Sequence, residues 1–553
     1  MANEVKSADT IFKEFKEHSI AEFFKKNRQM LGYSGMVRSL VTVVHELVTN
    51  GLDACEEANI LPEIEVSVRE AGENRYKVRV KDNGPGIPKK FIGKTLATML
   101  AGTKFHRYVQ QRGQQGIGAA GVTLFAQVTT GKPLLVESST GKEPFTCKVA
   151  VDTAKNSAII TDYNDLLNQN FTGLMLEGEF ADVKYENSEH GVYEYLKRTA
   201  LSNPHAQIKF IDPTGKESVF MRAVNAMPEK SRATKPHPMG LSVNDLLEFS
   251  HVSQSRKLSS FFVDTYARVT SNKVNELKAI ATSVDFEMQP KELDWPNAEE
   301  LIKAIKQVKW ISPDASSIIP IGRDQVQIAI KNILNPDFMS VVERRPRVFR
   351  GGVPFVIEAA VAYGGNAGYP SDNGASGTVL RFANRVPLLF DAGNCAITDA
   401  VRDIDWKRYN IDMDSQPVSV FVNISSVFVP YAGVGKEAVS KEDEIIDEIK
   451  LAVMEAARGV QGFIRGKEHV AFEANRYKAT MRYVKQLSAD LGDLTGADKQ
   501  ALEKELEAIV AKHYPKFTQA KADMAAETAE GKAAQKKKGK GDGEEDGEGE
   551  EGA

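Results

Sequence analysis

Apolar residues recur at helical spacing in three long parts of the chain. The segment from Val37 to Asn59 has apolar residues at positions that would bury a helix deeply, which predicts a buried helix. Residues 243–308 contain four shorter helical patterns and no strand pattern. A long helix is predicted from beyond Lys436 to about Val484, followed by a shorter helical piece to about Lys516.

Strand patterns fall in two other regions. One region lies within residues 31–230, where strands mix with glycine-rich loops, and the other runs from Ser317 to Phe428. The fold class predicted is α/β, in an α+β multidomain chain. We expect these segments: an N-terminal strap at 1–30, an α/β domain at 31–235, an all-helical insert at 236–312, a second α/β unit at 313–440, a helical stalk at 441–520 and a disordered charged tail at 521–553.

Composition narrows the location and the partners. No apolar stretch in the 553 residues approaches the roughly 20 that a membrane span needs, and the first residues have no signal-peptide pattern, so we expect a cytoplasmic protein. The three cysteines are far apart and are interpreted as reduced thiols. A net charge of −4 requires any DNA contact to come from local patches. The run from Glu343 to Arg350 is a candidate, with a solvated loop as the alternative.

The predicted helix at 37–59 carries three polar side chains on one face. Glu46, Asn50 and Asp53 follow each other at i, i+4 and i+7. A carboxylate and an amide on a buried face are costly unless something pairs with them, and a ligand or a metal could do so. The alternative is that Asn50 and Asp53 satisfy the helix end while Glu46 reaches solvent.

A second candidate follows a strand. Residues 76–82 alternate strictly, so Asp82 shares the inward face with Val78 and Val80. A carboxylate there would suit the exocyclic amine of adenine, and Gly84 and Gly86 would let the backbone come close to a flat base. Taken alone, this stretch is equally an ordinary turn.

A glycine-rich loop supplies the third candidate. Residues 112–121 read RGQQGIGAAG and lead into a helical stretch, an arrangement that offers free N–H groups to phosphates. No Gly-Lys-Ser/Thr ends this loop, so it is not a Walker A loop.

The three candidates, in this order within about eighty residues, resemble the GHKL ATPases. That resemblance implies a Bergerat fold that binds ATP and Mg²⁺. It implies that Glu46 is the general base, that Asn50 is the Mg²⁺ ligand and that Asp82 binds the adenine amine. Asp53 would contact these residues without touching the nucleotide. The implied nucleotide contacts are Asn50, Asp82, Gly86, Thr103, Lys104, Gly113, Gln114, Gln115, Gly116, Ile117, Gly118, Ala119, Ala120 and Thr172.

The rest of the chain is similar to the B subunits of type IIB DNA topoisomerases, the topoisomerase VI family. The opening from Ser19 to Tyr33 resembles their strap, residues 236–312 their helix-two-turns-helix domain and residues 313–440 their transducer. This resemblance implies that Lys436 is a catalytic lysine reaching the γ-phosphate. It also implies a self-dimer closed by ATP, binding of double-stranded DNA, and an A₂B₂ heterotetramer whose A subunit cuts the DNA. A non-enzymatic DNA clamp and a MutL-type repair protein are the alternatives, opposed by the intact Glu46 and Asn50 and by the helical insert respectively.

Overall fold

The structure is a computed structural model of the chain. It describes residue 22 and residues 26–99, 109–113, 116–166, 171–371, 374–433 and 435–513. The described residues divide into two units, with the boundary between Val460 and Gln461. Each unit is described by itself.

An eight-stranded sheet forms the first layer of the first unit. Its strands in spatial order are β5-β4-β3-β6-β2-β1-β7-β8, all neighbours antiparallel except β1 and β7. The strands are β1 (Glu63–Gly72), β2 (Arg75–Asp82), β3 (Leu134–Thr140), β4 (Phe145–Asp152), β5 (Ser157–Asp165), β6 (Thr172–Ala181), β7 (Gln207–Ile211) and β8 (Glu217–Phe220).

Helices form a second layer on one face of this sheet. They are α1 (Met36–Glu57), α2 (Ile92–Ala97), α3 (Gly118–Thr130) and α4 (Val192–Ser202). Apolar side chains of these helices and of the inward strand positions make one core, to which α1 contributes Leu40, Val44 and Leu47. The opposite face is polar, since Lys77 and Lys81 of β2 are exposed while Val78 and Val80 are buried. This alternation is typical of an antiparallel sheet with one solvated face.

Four helices follow, with no strand between residues 238 and 305: α5 (Val243–Val252), α6 (Leu258–Thr265), α7 (Ser271–Ile280) and α8 (Trp295–Ile305). They enclose their own core around Phe261, Phe262 and Tyr266. The prediction of helices without strands in this region is confirmed. Asp294 caps α8 by accepting a hydrogen bond from the Asn297 N–H.

A second sheet begins after α9 (Arg323–Leu334). Its central strands are the long β11 and β16, antiparallel to each other, and β14 lies parallel to β16. Its strands and those of a small hairpin are β9 (Phe338–Glu343), β10 (Arg347–Phe349), β11 (Val353–Tyr363), β12 (Tyr369–Ser371), β13 (Gly374–Ser376), β14 (Thr378–Ala383), β15 (Val386–Pro387) and β16 (Val418–Ser426). Helix α10 (Ala396–Arg402) lies between β15 and β16 in the sequence.

Helix α11 (Asp443–Thr495) begins in the first unit, where Ile445, Ile449 and Val453 are buried. The predicted end near Val484 was wrong. The helix continues to Thr495 and stops at Gly496, whose φ of 72° is left-handed. In the second unit α11 is followed by α12 (Lys499–His513).

Among the described residues, no helix combines the length and the apolar character that crossing a membrane requires. The predicted tail at 521–553, and all of the predicted strap at 1–30 except Glu22 and residues 26–30, lie outside the described residues.

Candidate active site

A cavity of about 880 Å³ opens between α1, the sheet and the glycine-rich loop. Strand β2 ends at the cavity. Residues of the second α/β region, predicted at 313–440 and called the second domain below, complete its wall, and the α/β region predicted at 31–235 is called the first domain. Of the residues singled out in the sequence, those lining it are Glu46, Asn50, Asp82, Gly86, Gly113, Gly116, Ile117, Gly118, Ala119, Ala120 and Lys436.

Of the three polar side chains on one face of α1, Glu46 and Asn50 line the cavity and Asp53 does not. Glu46 is half-buried and Asn50 is exposed at the cavity wall, so the expected burial of Asn50 is wrong. Asp53 lies outside the lining, buried, with its Oδ1 accepting a hydrogen bond of 2.8 Å from Arg112. The buried carboxylate of Asp53 is therefore paired with an arginine of the protein rather than with a ligand.

Asp82 ends β2 with its side chain on the inward face, as the alternation predicts. Its Oδ1 accepts hydrogen bonds from the backbone N–H groups of Gly84 (2.9 Å) and Leu174 (3.3 Å). Burial nevertheless dominates, and it raises the pKa of Asp82 from 3.8 to about 6. The carboxylate that predominates at pH 7 is thus held in a destabilised state.

We expect Asp82→Asn to stabilise the ligand-free chain at pH 7. Moving the pKa from 3.8 to about 6 corresponds to about 3 kcal/mol in favour of the neutral carboxyl. A folded-state pKa above the unfolded value means that this stability is present below about 4 and is lost as the pH rises through about 6. Thermal melts of the variant and the unmodified chain should therefore differ at pH 7 and converge toward pH 4. A gap that widens on acidification would contradict the raised pKa.

Two glycines of the site lie in close contact with neighbouring groups, a flexible side-chain end at Gly118 and a backbone carbonyl at Gly86. A Cβ on Gly118, the first residue of α3, would overlap the carboxylate of Glu46. A Cβ on Gly86 would overlap the carbonyl of Ser139, and Gly86 has a left-handed φ of 68°. The start of α3 therefore lies against Glu46, and helix starts offer free N–H groups to anions.

Lys436 comes to this cavity from the second α/β unit. Its Nζ donates a 3.4 Å hydrogen bond to the carbonyl of Arg112, the first residue of the glycine-rich loop. Its φ of 53° is left-handed, which costs energy for a residue other than glycine. The neighbouring Glu437 forms an ion pair with Arg38 of α1, so this loop contacts the first domain at two successive residues.

Some predicted contacts do not reach the cavity. Thr172 is exposed at the first position of β6, paired with Thr140, and does not line the cavity, although Leu174 two positions later does. Because a strand rises about 3.4 Å per residue, Thr172 lies roughly 7 Å from Leu174 along β6, outside the edge of the cavity. Thr103, Lys104, Gln114 and Gln115 lie outside the described residues.

The cavity also has walls that sequence reasoning missed. Tyr33, His45 and Tyr195 line it from the first domain, and Phe390 and Tyr431 from the second. Burial lowers the pKa of His45 and Lys436 lowers it further, against the opposing effect of Glu46, so the imidazole is neutral at pH 7. Of these residues, only His45 could have been suggested by the sequence, because it is next to Glu46.

A metal ion here would need ligands beyond the protein. The described residues contain no group of three or more His, Cys, Asp or Glu side chains able to hold an ion. Asn50 at the cavity wall offers a single amide oxygen. Mg²⁺ suits such a site, because it keeps several waters and binds substrate phosphates together with one or two protein ligands.

Three arginines of the run at 344–350 form ion pairs within the protein. Arg344 and Arg347 both bond to Glu448 of α11, at 2.6 and 3.3 Å, and Arg350 pairs with Glu442 just before that helix. These ion pairs connect this edge of the second sheet to the start of α11, while Arg345, Arg347 and Arg350 are exposed, so the suggested DNA contact stays a prediction.

Comparisons with known proteins define first the class and then the family. Residues 35–153 match the family model "Histidine kinase-, DNA gyrase B-, and HSP90-like ATPase", and residues 313–476 match "Topoisomerase VI B subunit, transducer". The first domain is thus an ATPase domain of the GHKL class, as its resemblance implied.

Whole-chain relatives agree with this result. The chain is 44% identical to the B subunit of type 2 DNA topoisomerase 6 from Methanothermobacter thermautotrophicus, over 85% of this chain and 90% of that one. It is 40% identical to the protein of the same name from Thermococcus sibiricus, over 94% of this chain and 99% of that one. The chain belongs to the family of type 2 DNA topoisomerase 6 B subunits. The MutL-type alternative is therefore set aside.

Proposed function

We propose that the cavity binds ATP with Mg²⁺ and hydrolyses it, and that the chain is the ATP-driven gate of a type IIB DNA topoisomerase. One observation supports this most strongly. Asp82, Glu46, the start of α3 and Lys436, which come from separate parts of the chain, all line one cavity large enough for a nucleotide.

The adenine would bind at the Asp82 end. A carboxylate accepts hydrogen bonds only, which matches the donating amine of adenine, and Gly86 lines the same cavity. Asp82→Asn should therefore bind ADP more weakly than the unmodified chain, even though the same change stabilises the free protein.

The phosphates would lie between the start of α3 and Lys436. Glu46, which contacts Gly118, would take the proton of the attacking water as general base. The free N–H groups at the start of α3 and the Lys436 ammonium would bind the phosphate oxygens. In this assignment Gly113 and Gly116 to Ala120 give the phosphates a close backbone surface.

The Asn50 amide oxygen would be the single protein ligand of Mg²⁺. The ion supplies charge neutralisation for the phosphates when bound. Because Asn50 lies one helical turn after Glu46 on the same face, the metal and the attacking water would be on the same side of the nucleotide.

The gate itself requires partners. Two copies of this chain would close on each other when ATP is bound, because a ligand favours the state that binds it better. The closed pair would trap one DNA duplex and pass it through a break made by an A subunit in an A₂B₂ complex, relaxing supercoils and separating linked circles. The work would take place in the cytoplasm, on the nucleoid.

We expect the purified chain, given ATP and supercoiled DNA, neither to cut nor to relax it. Its sequence contains no recognisable module that presents a DNA-cleaving tyrosine. Mixed with the A subunit, ATP, Mg²⁺ and linked circles, it should release single circles, scored by gel electrophoresis, and omission of ATP is the control. Cutting by the chain alone would contradict the two-subunit assignment, and failure to release circles with the A subunit would contradict the gate.

A further inference from the structure

Residues 110–112 join the two α/β domains. We name them the clasp segment. They lead into the glycine-rich loop, with Arg112 as its first residue, and each contacts a different part of the second domain through a polar group. The family assignment gives no role to Gln110 or Gln111.

Gln110 makes the closest of these contacts. Its side-chain amide pairs with the backbone of Ile319 in both directions, donating to the Ile319 carbonyl at 2.9 Å and accepting from its N–H at 2.6 Å. Gln110 is buried, at 9% exposure, so neither partner can replace these bonds with water without opening the joint.

The next two residues offer their carbonyl oxygens. The Gln111 carbonyl accepts a 3.4 Å hydrogen bond from the side chain of Asn384, and the Arg112 carbonyl accepts one of 3.4 Å from Lys436. Asn384 is buried in a tight turn with a left-handed φ of 47°, and its side chain also bonds to Ser426 in β16. The turn therefore has a fixed place in the second sheet.

The Arg112 side chain holds the same segment to the ATPase domain. Its guanidinium donates to Asp53 at 2.8 Å and to Glu56 at 2.6 Å, both on α1, and to the fully buried Asn203. Burial alone would lower the pKa of Arg112, but Glu56 and Asp53 raise it above the ordinary arginine value. The segment is thus fixed to the helix that carries Glu46.

We propose that the clasp segment transmits the nucleotide state of the loop that follows it to the transducer, as a second route beside Lys436. Because its buried polar groups have partners on both domains, the segment cannot shift without moving Ile319 and the Asn384 turn or losing their bonds. Gln110 and Asn384 are positioning residues in this route. The inference rests on the proposed ATP binding.

The test compares two glutamines in the full-length chain. Gln110→Met removes the amide pair to the second domain. Gln127→Met removes the same kind of pair inside the ATPase domain, where Gln127 bonds the Val151 backbone at 3.1 and 2.9 Å. Nucleotide affinity is measured by calorimetry with a non-hydrolysable ATP analogue. Amide hydrogen exchange of residues 316–322 and 383–388 is measured with and without the analogue.

In the unmodified chain and in Gln127→Met, the analogue should slow exchange in both transducer segments. In Gln110→Met it should bind within about threefold of normal, while the slowing falls at least fivefold. A purely structural role would change exchange without nucleotide but leave the nucleotide effect intact. Asn384→Gly, which keeps the left-handed backbone, provides a second variant with the same expected direction.

Two outcomes would contradict the proposals, and they differ. If the unmodified chain does not bind the analogue, the proposed ATPase function fails and this inference fails with it. If it binds the analogue, but the transducer segments respond equally in Gln110→Met and Gln127→Met, only the clasp segment's role is overturned.

Discussion

Replacing Glu46 with alanine should lower ATP turnover by about 10² to 10⁴ while leaving ADP binding close to normal. Removal of a general base typically costs this much, because the attacking water keeps its place but loses its proton acceptor. The adenine contact through Asp82 lies at another part of the cavity wall, and Asn50 remains. Shortening the side chain also relieves rather than creates contact with Gly118.

Two further variants make this result specific. Glu46→Gln keeps the size of the side chain and removes its basicity, so it should lose turnover to the same extent. Glu57→Ala changes another acid that lies on α1 and lines the cavity, and it should hydrolyse ATP at a near-normal rate. Steady-state phosphate release and ADP calorimetry measure both quantities. Normal turnover in Glu46→Ala, or an equal loss in Glu57→Ala, would remove Glu46 from its proposed role.

Local periodicity predicted the elements of the site well. Alternation along 76–82 correctly gave Asp82 an inward, buried position, and helical spacing placed Glu46 and Asn50 on the same side of α1. These patterns report which face of an element is turned inward. They do not predict which side chains of other elements that face contacts.

The errors and omissions follow from this limit. The partner of Asp53 is Arg112, 59 residues away, and nothing in the spacing of α1 could indicate it. The arginines at 344 and 347 are only a charged run in the sequence, and Glu448, about 100 residues later, binds both of them. Such pairs depend on how whole elements pack, which charge patterning along the chain does not encode.

The position of Lys436 shows what a family resemblance adds to residue-level reasoning. Its Nζ bonds to a carbonyl 324 residues earlier in the chain, and its local sequence reads as an ordinary loop. Only the resemblance of the second α/β unit to a transducer placed it at the site. The clasp segment was not anticipated at all, because its bonds use backbone carbonyls and an amide side chain, which leave no distinctive motif.

Lys436→Met should separate nucleotide binding from catalysis. Methionine keeps much of the length of the side chain and removes the ammonium, so the cavity wall stays filled while the cation is lost. In a water-poor site an ammonium facing a γ-phosphate contributes far more than the same pair in bulk water, because the effective dielectric is lower. ADP has no γ-phosphate and is recognised through Asp82, so its affinity should barely change.

Hydrolysis and ATP-driven strand passage should both fall at least tenfold in Lys436→Met, which corresponds to about 1.4 kcal/mol of barrier. Lys441→Met is the matched control, because Lys441 lies five residues later and pairs at the surface with Asp399; it should keep both activities. Phosphate release, ADP calorimetry and release of linked circles with the A subunit provide the three measurements. The bond from Gln110 to Ile319 does not involve Lys436, so it should persist and the variant should stay folded with an unchanged melting temperature. If Lys436→Met instead weakened ADP and ATP binding equally and left turnover intact, Lys436 would be a general electrostatic residue of the cavity rather than a sensor of the γ-phosphate.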